Sequence, residues 1–166
     1  MREMQWPAPR PREGLIIERP RLSVEAITGL GHVLISGDLQ GALNALAPQA
    51  PLLGLFGLAP DGPYALRVAR DSALLVTPAP IFVDPAQRGE FFATAVDDGF
   101  AVLTLRGTDV ADVLSQGASV DFAVSSPSAC VMFAGFRTLI VRRPDGVRLH
   151  LEASYREAML EWLEGA

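Results

Sequence analysis

The strongest constraint on the fold comes from residues 96–122, where a strand, a glycine and a helix are indicated by separate signals. Residues 100–105 are apolar on both faces, which is typical of a strand that is covered on both sides. Gly107 interrupts this run, and Thr108 or Asp109 can offer a side-chain oxygen to the first amides of a helix. The pattern predicts a central strand followed by a short helix with the apolar face Val110, Val113 and Leu114.

The same order of signals occurs earlier in the chain. Residues 32–36 form an apolar run that ends at Gly37, and Asp38 opens a second helix with one apolar face. Further on, residues 64–69 resemble residues 147–152, because each is an alternating strand that follows a turn containing Asp and Gly. The repetition favours an internal duplication over the alternative, a chance similarity of two amphipathic units.

We therefore expect an α+β fold with two similar halves, residues 23–80 and residues 81–166, joined in one compact unit. Each half is expected to bury one face of a small antiparallel sheet against its helices. In the first half, residues 23–28 and 32–36 are predicted to form a hairpin that turns at residues 29–31.

Residues 1–22 are rich in proline and arginine, and this composition favours an extended N-terminal arm over a packed element. Trp6 is the exception in this polar segment. Aromatic and arginine side chains are enriched in protein interfaces, so one interpretation is that Trp6, Arg10 and Arg12 anchor the arm on a partner subunit. The alternative is a loosely docked tail.

Two further elements are predicted in the second half. Residues 84–91 favour a short helix and residues 92–97 a strand that leads into the central one. Near the end of the chain, Ser154 and Glu157 have the spacing of a capping box. They precede a last helix with the predicted buried face Tyr155, Ala158, Met159, Trp162 and Leu163.

Composition limits the classes of function. A net charge of -5 and a pI near 5.0 argue against a nucleic-acid partner, because a phosphate backbone rewards clustered positive charge. No segment has the roughly 20 apolar residues of a bilayer span, and the first residues lack an apolar signal region. We expect a cytoplasmic protein without a membrane partner, in which the single cysteine, Cys130, is a small core residue.

The sequence carries no recognisable catalytic or cofactor motif. The Gly-x-Gly at residues 29–31 lacks the third glycine and the helix of a dinucleotide fingerprint. His32 and His150 stand alone on predicted strands, so we interpret them as surface or satisfied side chains and predict no metal site. Asp97 and Asp98 are adjacent and should point to opposite faces, which excludes a shared proton. We expect no catalytic residue, bound cofactor or metal in this chain.

Part of the sequence resembles a known family. Residues 96–122, 133–143 and 154–163 resemble the gamma subunit of heterotetrameric sarcosine oxidase, which is itself similar to folate-binding aminomethyltransferase domains of the glycine cleavage T-protein type. The first half fits more loosely, through residues 35–46 and 64–78. The resemblance implies a folate-binding-domain-like α+β fold.

The resemblance also implies a function. It indicates a noncatalytic, gamma-type subunit of a complex that oxidatively demethylates sarcosine or a related N-methyl amino acid. The larger, flavin-bearing partner subunits would carry FAD, FMN, NAD and tetrahydrofolate, whereas this chain would bind none of them. Related enzymes place a catalytic aspartate in a segment that corresponds to residues 134–139, which contain no carboxylate here. The alternatives are a stand-alone folate-binding aminomethyltransferase-like protein and a tRNA-modification accessory protein.

Overall fold

The computed structural model describes residues 10–84 and 89–166, which form two β-sheets and three α-helices. The six-stranded sheet has the order β1 (Gly14–Arg19), β2 (Leu22–Ile27), β8 (Phe100–Arg106), β11 (Gly146–Glu152), β10 (Phe136–Arg143) and β9 (Cys130–Phe133). The five-stranded sheet has the order β4 (Leu52–Leu53), β5 (Tyr64–Ala69), β6 (Ser72–Thr77), β3 (Gly31–Gly37) and β7 (Phe91–Ala95). The helices are α1 (Leu39–Leu46), α2 (Val110–Gly117) and α3 (Arg156–Gly165).

The two sheets pack face to face, and the helices cover their outer faces. On the outer face of the five-stranded sheet, Val33 and Ile35 of β3 share a buried cluster with α1. On the outer face of the six-stranded sheet, Leu149 and Leu151 of β11 share a second cluster with α2 and α3. A third cluster lies between the sheets and includes Tyr64, Leu66, Leu74, Leu139 and Val141. The predicted α+β class is confirmed.

The two sheets exchange strands. β2 pairs with β8 in the six-stranded sheet, whereas β3, the next strand along the chain, lies in the five-stranded sheet. The predicted hairpin across residues 29–31 is therefore wrong. Gly29, with φ of 78°, and Gly31 carry the chain from one sheet to the other, and a side chain on Gly31 would overlap Thr77 and the backbone at residues 79–80. The second exchange involves β7. This strand directly precedes β8 in the chain, but it pairs with β3 in the five-stranded sheet.

The order of elements in the two sheets corresponds. β4-β5-β6-β3-β7 matches β9-β10-β11-β8-β2, and α1 and α2 follow the matching strands β3 and β8. Gly37 and Gly107 end these strands with φ of 95° and 120°, so the helices at Asp38 and Thr108 take equivalent places. Residues 64–69 form β5, and residues 147–152 belong to β11. In the two matching orders β11 corresponds to β6 and not to β5, so the predicted match of these residues is wrong by one strand. An internal duplication as the origin of this order stays a prediction.

The amino-terminal part of the described chain is more ordered than predicted. Within the predicted arm of residues 1–22, Gly14–Arg19 form the edge strand β1, which pairs with β2. Arg10 is also tied down, since its guanidinium binds Glu157 at 3.3 Å and Glu164 at 2.6 Å, both on α3. The predicted arm of residues 1–22 is therefore not extended and unpaired over its whole length, because its residues 14–19 are part of a sheet.

The predicted capping interactions do not form. Asp109 is the N-cap residue of α2 without a side-chain bond to the helix, and its carboxylate instead accepts a hydrogen bond from Arg21 Nε at 2.6 Å. Helix α3 begins at Arg156 after a 3-10 turn, with no capping bond from Ser154. Its buried face is Met159, Leu160 and Leu163.

The predicted helix at residues 84–91 conflicts with the structure at its end, because Phe91 begins strand β7. Residues 85–88 of that prediction lie outside the described residues. The predicted strand at residues 92–97 corresponds to β7 in its first part, while Asp97–Gly99 form a 3-10 turn.

Candidate functional site: a buried histidine pair between the sheets

The two histidines of the chain meet between the sheets. His32 lies on β3 next to Val33, which packs outward on α1. His150 lies on β11 between Leu149 and Leu151, which pack outward on α2 and α3, so both histidine side chains face inward. Their exposed fractions are 2% and 0%, and His32 Nε2 lies 3.4 Å from His150 Nδ1. The two residues are therefore neither isolated nor on the surface, and of the two predicted alternatives only that of buried, hydrogen-bonded side chains is compatible with the structure.

A chain of hydrogen bonds continues from the histidine pair into both sheets. The buried hydroxyl of Tyr64 on β5 lies 3.1 Å from His150 Nε2. Arg148 on β11 donates from Nη1 to the Tyr64 hydroxyl over 3.3 Å and from Nε to Thr104 Oγ1 of β8 over 3.5 Å. We call His32, His150, Tyr64 and Arg148 the inter-sheet relay.

Burial determines the charge state of the relay. The pKa of His150 lies well below its ordinary value of 6.5, first because burial penalises the imidazolium and then because of the charges of His32 and Arg148. Burial also lowers the pKa of His32, an effect that hydrogen bonding with the Asp97 backbone and the charge of the Asp97 carboxylate oppose. The Asp97 carboxylate also accepts the backbone N–H of His32 at 2.7 Å. The pKa of Tyr64 is raised by burial and lowered in part by Arg148. At neutral pH the two imidazoles and the phenol are uncharged.

Two openings flank the histidine pair. A small cavity of ≈ 140 Å³ lies beside His150, and its wall includes half-buried Cys130 and exposed Arg137. A larger cleft of ≈ 380 Å³ lies beside His32 and is also lined by Asp97 and Arg12. Phe100 borders both openings and stacks on the His32 ring with a centroid distance of 5.4 Å.

Of the three residues predicted to bind a partner, the structure describes Arg10 and Arg12. Trp6 lies outside the described residues. Arg10 binds two carboxylates of α3, and exposed Arg12 lines the cleft beside His32. Their role in partner binding stays a prediction.

Three further observations concern polar groups that the sequence analysis considered for catalysis or metal binding. Asp97 opens a 3-10 turn, and its carboxylate accepts the backbone N–H of His32 on β3. Within residues 10–84 and 89–166, no group of three or more His, Cys, Asp or Glu side chains is placed to hold a metal ion. The loop between β9 and β10 turns at Ala134 and Gly135, with φ of 52° and 84°, and brings no carboxylate to this position.

The histidine pair was missed because the two residues are 118 positions apart in the sequence. A local signal was nevertheless present. Both lie in strands with apolar neighbours on either side, which predicts burial on both faces, so a polar side chain in such a strand has to find a buried partner.

Comparisons with known proteins bear on the fold. No protein-family model matches the sequence, and no curated protein matches it. A solved structure does match, the heterotetrameric sarcosine oxidase from Corynebacterium sp. U-96 in complex with pyrrole 2-carboxylate. The match has a TM-score of 0.66 and 20% sequence identity, and it covers 92% of this chain and 85% of that chain.

The chain has the fold of a sarcosine oxidase chain. This confirms the resemblance seen in the sequence at the level of the fold. Because the match covers most of both chains, the similarity extends over the whole architecture of two sheets and is not confined to one element. No helix among the described residues is long and apolar enough to cross a membrane.

Proposed function

We propose that this chain is a noncatalytic, gamma-type subunit of a heterotetrameric sarcosine oxidase-like complex, which demethylates sarcosine or a related N-methyl amino acid by oxidation. The observation that carries the proposal is the match to a sarcosine oxidase chain at a TM-score of 0.66 over 92% of this chain and 85% of that chain. Such coverage supports the equivalence of two whole chains of similar length, as expected for corresponding subunits.

The division of labour follows from the residues that are present. The larger partner subunits would carry FAD, FMN, NAD and tetrahydrofolate, and this chain would bind none of them. In support, residues 134–139 lack a carboxylate for acid-base catalysis. The inter-sheet relay supplies neutral hydrogen-bonding groups and no nucleophile that is paired with a base.

Docking on the partners would use the amino-terminal arm. Arg10 holds the end of this arm against α3 through Glu157 and Glu164. Arg156 of the same helix donates to the carbonyl oxygen of Pro11. A partner that binds the arm at residues 10–12 would therefore also meet the exposed face of α3, which provides a surface on one side of the six-stranded sheet.

Co-expression tests the proposal. A tagged chain is produced with flavin-bearing sarcosine oxidase subunits that are encoded beside it, and the purified material is analysed for subunit composition, flavin content and sarcosine turnover. We expect one complex that contains this chain, with all flavin in the other subunits, and an isolated chain that is colourless and inactive. Stoichiometric flavin in the isolated chain, or sarcosine turnover by it, would contradict a noncatalytic role.

The same preparation tests the alternative function. Tight binding of a reduced folate by the isolated chain, together with failure to join flavin-bearing subunits, would favour a stand-alone folate-binding aminomethyltransferase-like protein or a tRNA-modification accessory protein. Binding can be measured by calorimetry with tetrahydrofolate.

A further inference from the structure

A cavity of ≈ 490 Å³ lies beside helix α2, and no member of the inter-sheet relay is among the described residues that line it. Val110, Leu114 and Val147 line this cavity and belong to the buried cluster that α2 shares with the six-stranded sheet. Phe56 and Phe122 also line it, with a distance of 5.3 Å between their ring centroids. We call this space the α2 cavity, and its wall is mainly apolar.

The charged side chains at the α2 cavity are basic. Arg142 and Arg143 line it, and no acidic residue is among the described residues of its wall. Arg143 is already paired, since its guanidinium binds Asp61 at 2.7 Å and donates to the carbonyl oxygen of Ala59. Exposed Arg142 uses its Nε to donate to the carbonyl oxygen of Phe56 at 2.8 Å, and within the described chain its two Nη groups have no ion pair or hydrogen bond. The α2 cavity therefore presents one uncompensated cation beside apolar surface.

Phe56 holds the Arg142 guanidinium in place at the cavity. The Arg142 Cζ lies 5.4 Å from the centroid of the Phe56 ring, as in a cation–π pair. Phe56 has a φ of 58°, a conformation that favours glycine, and its N–H donates to the carbonyl oxygen of Ile140 over 3.1 Å. A phenylalanine in this conformation costs free energy that its surroundings must offset. The hydrogen bonds with Ile140 and Arg142 therefore maintain a fixed arrangement of a cation and an aromatic ring.

This combination of groups favours an anion that carries an apolar chain. A planar carboxylate can accept two N–H groups of one guanidinium, and the Nη groups of Arg142 are available for such a pair. An apolar chain gains free energy when it leaves water for an apolar wall. An ammonium group has no carboxylate to meet in the described wall of the cavity and would be repelled by Arg142.

We propose that the α2 cavity binds a monocarboxylate with an apolar chain. The carboxylate pairs with the Nη groups of Arg142, and the chain packs between Phe122 and the side of α2 that carries Val110 and Leu114. The cavity volume of ≈ 490 Å³ is sufficient for a chain of medium length. The inference is independent of the proposed function, since it concerns a cavity within this chain.

The ligand class is tested by calorimetric titration of the full chain with octanoate and two relatives of it. Octanol keeps the chain and lacks the charge, whereas the α-amino derivative of octanoate adds an ammonium group. We expect saturable binding of octanoate, with both relatives at least about tenfold weaker. Shorter carboxylates should lose about two- to fourfold in affinity for each methylene removed. Octanol as tight as octanoate, or no saturable binding of octanoate at millimolar concentration, would overturn the proposal.

Two arginines on one strand separate a local contact from a general effect of charge. Arg142 lines the α2 cavity, whereas Arg137, also on β10 and also exposed, lines the small cavity beside His150. We expect Arg142→Gln to bind octanoate at least about tenfold more weakly than the wild type, and Arg137→Gln to bind it within about twofold. Equal binding by Arg142→Gln and the wild type would overturn the assignment of the carboxylate to Arg142.

A substitution that fills the cavity tests where the apolar chain lies. Ala111 is an exposed residue of α2 that lines the cavity, so Ala111→Phe should occupy this space and weaken octanoate binding at least about tenfold. Ser115→Phe is the matched control, because Ser115 is exposed on the same helix and does not line the cavity. Circular dichroism establishes that the variants fold, and the ligand series on the wild type stands even if a variant does not. Octanoate binding by Ala111→Phe as tight as by Ser115→Phe would overturn the placement of the chain in this cavity.

Discussion

At the scale of single residues, the Tyr64 hydroxyl is the group that connects His150 with Arg148 in the inter-sheet relay. Tyr64→Phe would leave the buried His150 Nε2 and one N–H of half-buried Arg148 without their partner. We expect the substitution to lower the free energy of unfolding by about 1–3 kcal/mol, measured by urea denaturation. The chain offers a matched control in its other tyrosine, Tyr155, which is 41% exposed, and Tyr155→Phe should be neutral. Equal stability of the two variants would contradict the role of the hydroxyl.

The same residues predict how stability depends on pH. The folded-state pKa values of His32 and His150 lie below 6.5, so the unfolded chain binds more protons under acidic conditions. This contribution to stability is complete above pH 6.5 and is lost as the pH falls towards the folded pKa values. The slope can reach about 1.4 kcal/mol per pH unit for each histidine.

Denaturation at several pH values between about 5.5 and 7.5 measures this slope, because aspartate and glutamate titrate mainly below that range. Asp97 and Arg148 are the charged groups that face the pair. A double variant, His32→Asn with His150→Gln, removes both titrations and should flatten the curve. A slope that persists in the double variant would assign the effect to other groups.

At the scale of elements, α1 and α2 each contain a glycine whose replacement should have opposite effects. A side chain at Gly41 of α1 would meet only the exposed carboxylate of Asp38, whereas one at Gly117 of α2 would overlap the buried ring of Phe133. Gly41→Ala should stabilise the protein by about 0.5–1 kcal/mol through helix propensity. Gly117→Ala should destabilise it by about 1–3 kcal/mol, since Phe133 is fixed against Trp162. Thermal unfolding of both variants measures whether each substitution raises or lowers the stability of the protein.

Elements were predictable from the sequence to the extent that local signals determine them. Alternation and glycine placement identified β3, β8 and the helices after them, because these signals act within a few residues. The pairing of β2 with β8 was not predictable, because an apolar strand specifies which faces are buried and not which neighbour it joins. The predicted cap of α2 does not form for a related reason, because the Asp109 carboxylate pairs with Arg21, which lies 88 residues away.

At the scale of the whole molecule, the strand exchange ties the predicted halves together. Residues 1–80 contain β2, which belongs to the sheet built mainly from later residues, and residues 81–166 contain β7, which completes the other sheet. Each half alone would therefore expose an unpaired inner strand edge. We expect the two fragments to be unfolded separately and to gain β-sheet signal in circular dichroism when mixed. A fragment that folds cooperatively by itself would show that the exchanged strand is dispensable.

Assembly of the whole molecule into a complex is the remaining prediction, and it depends on Trp6. A tryptophan that anchors an interface commonly contributes about 2 kcal/mol or more, so Trp6→Ala should weaken binding to the larger subunits by about thirtyfold. Trp6→Phe retains an aromatic ring and should lose less.

Arg10 provides the structural complement to this test. Its ion pairs with Glu157 and Glu164 are partly exposed, so Arg10→Ala should change the stability of the isolated chain by less than about 1 kcal/mol. The substitution nevertheless frees the arm from α3, and ordering the arm then costs conformational entropy at the moment of docking. We expect the Arg10→Ala variant to associate more slowly with the purified larger subunits. The association rate can be measured by surface plasmon resonance with the tagged chain immobilised. If Trp6→Ala and Arg10→Ala both bind like the wild type, the partner surface lies elsewhere, and the exposed face of α3 becomes the next segment to substitute.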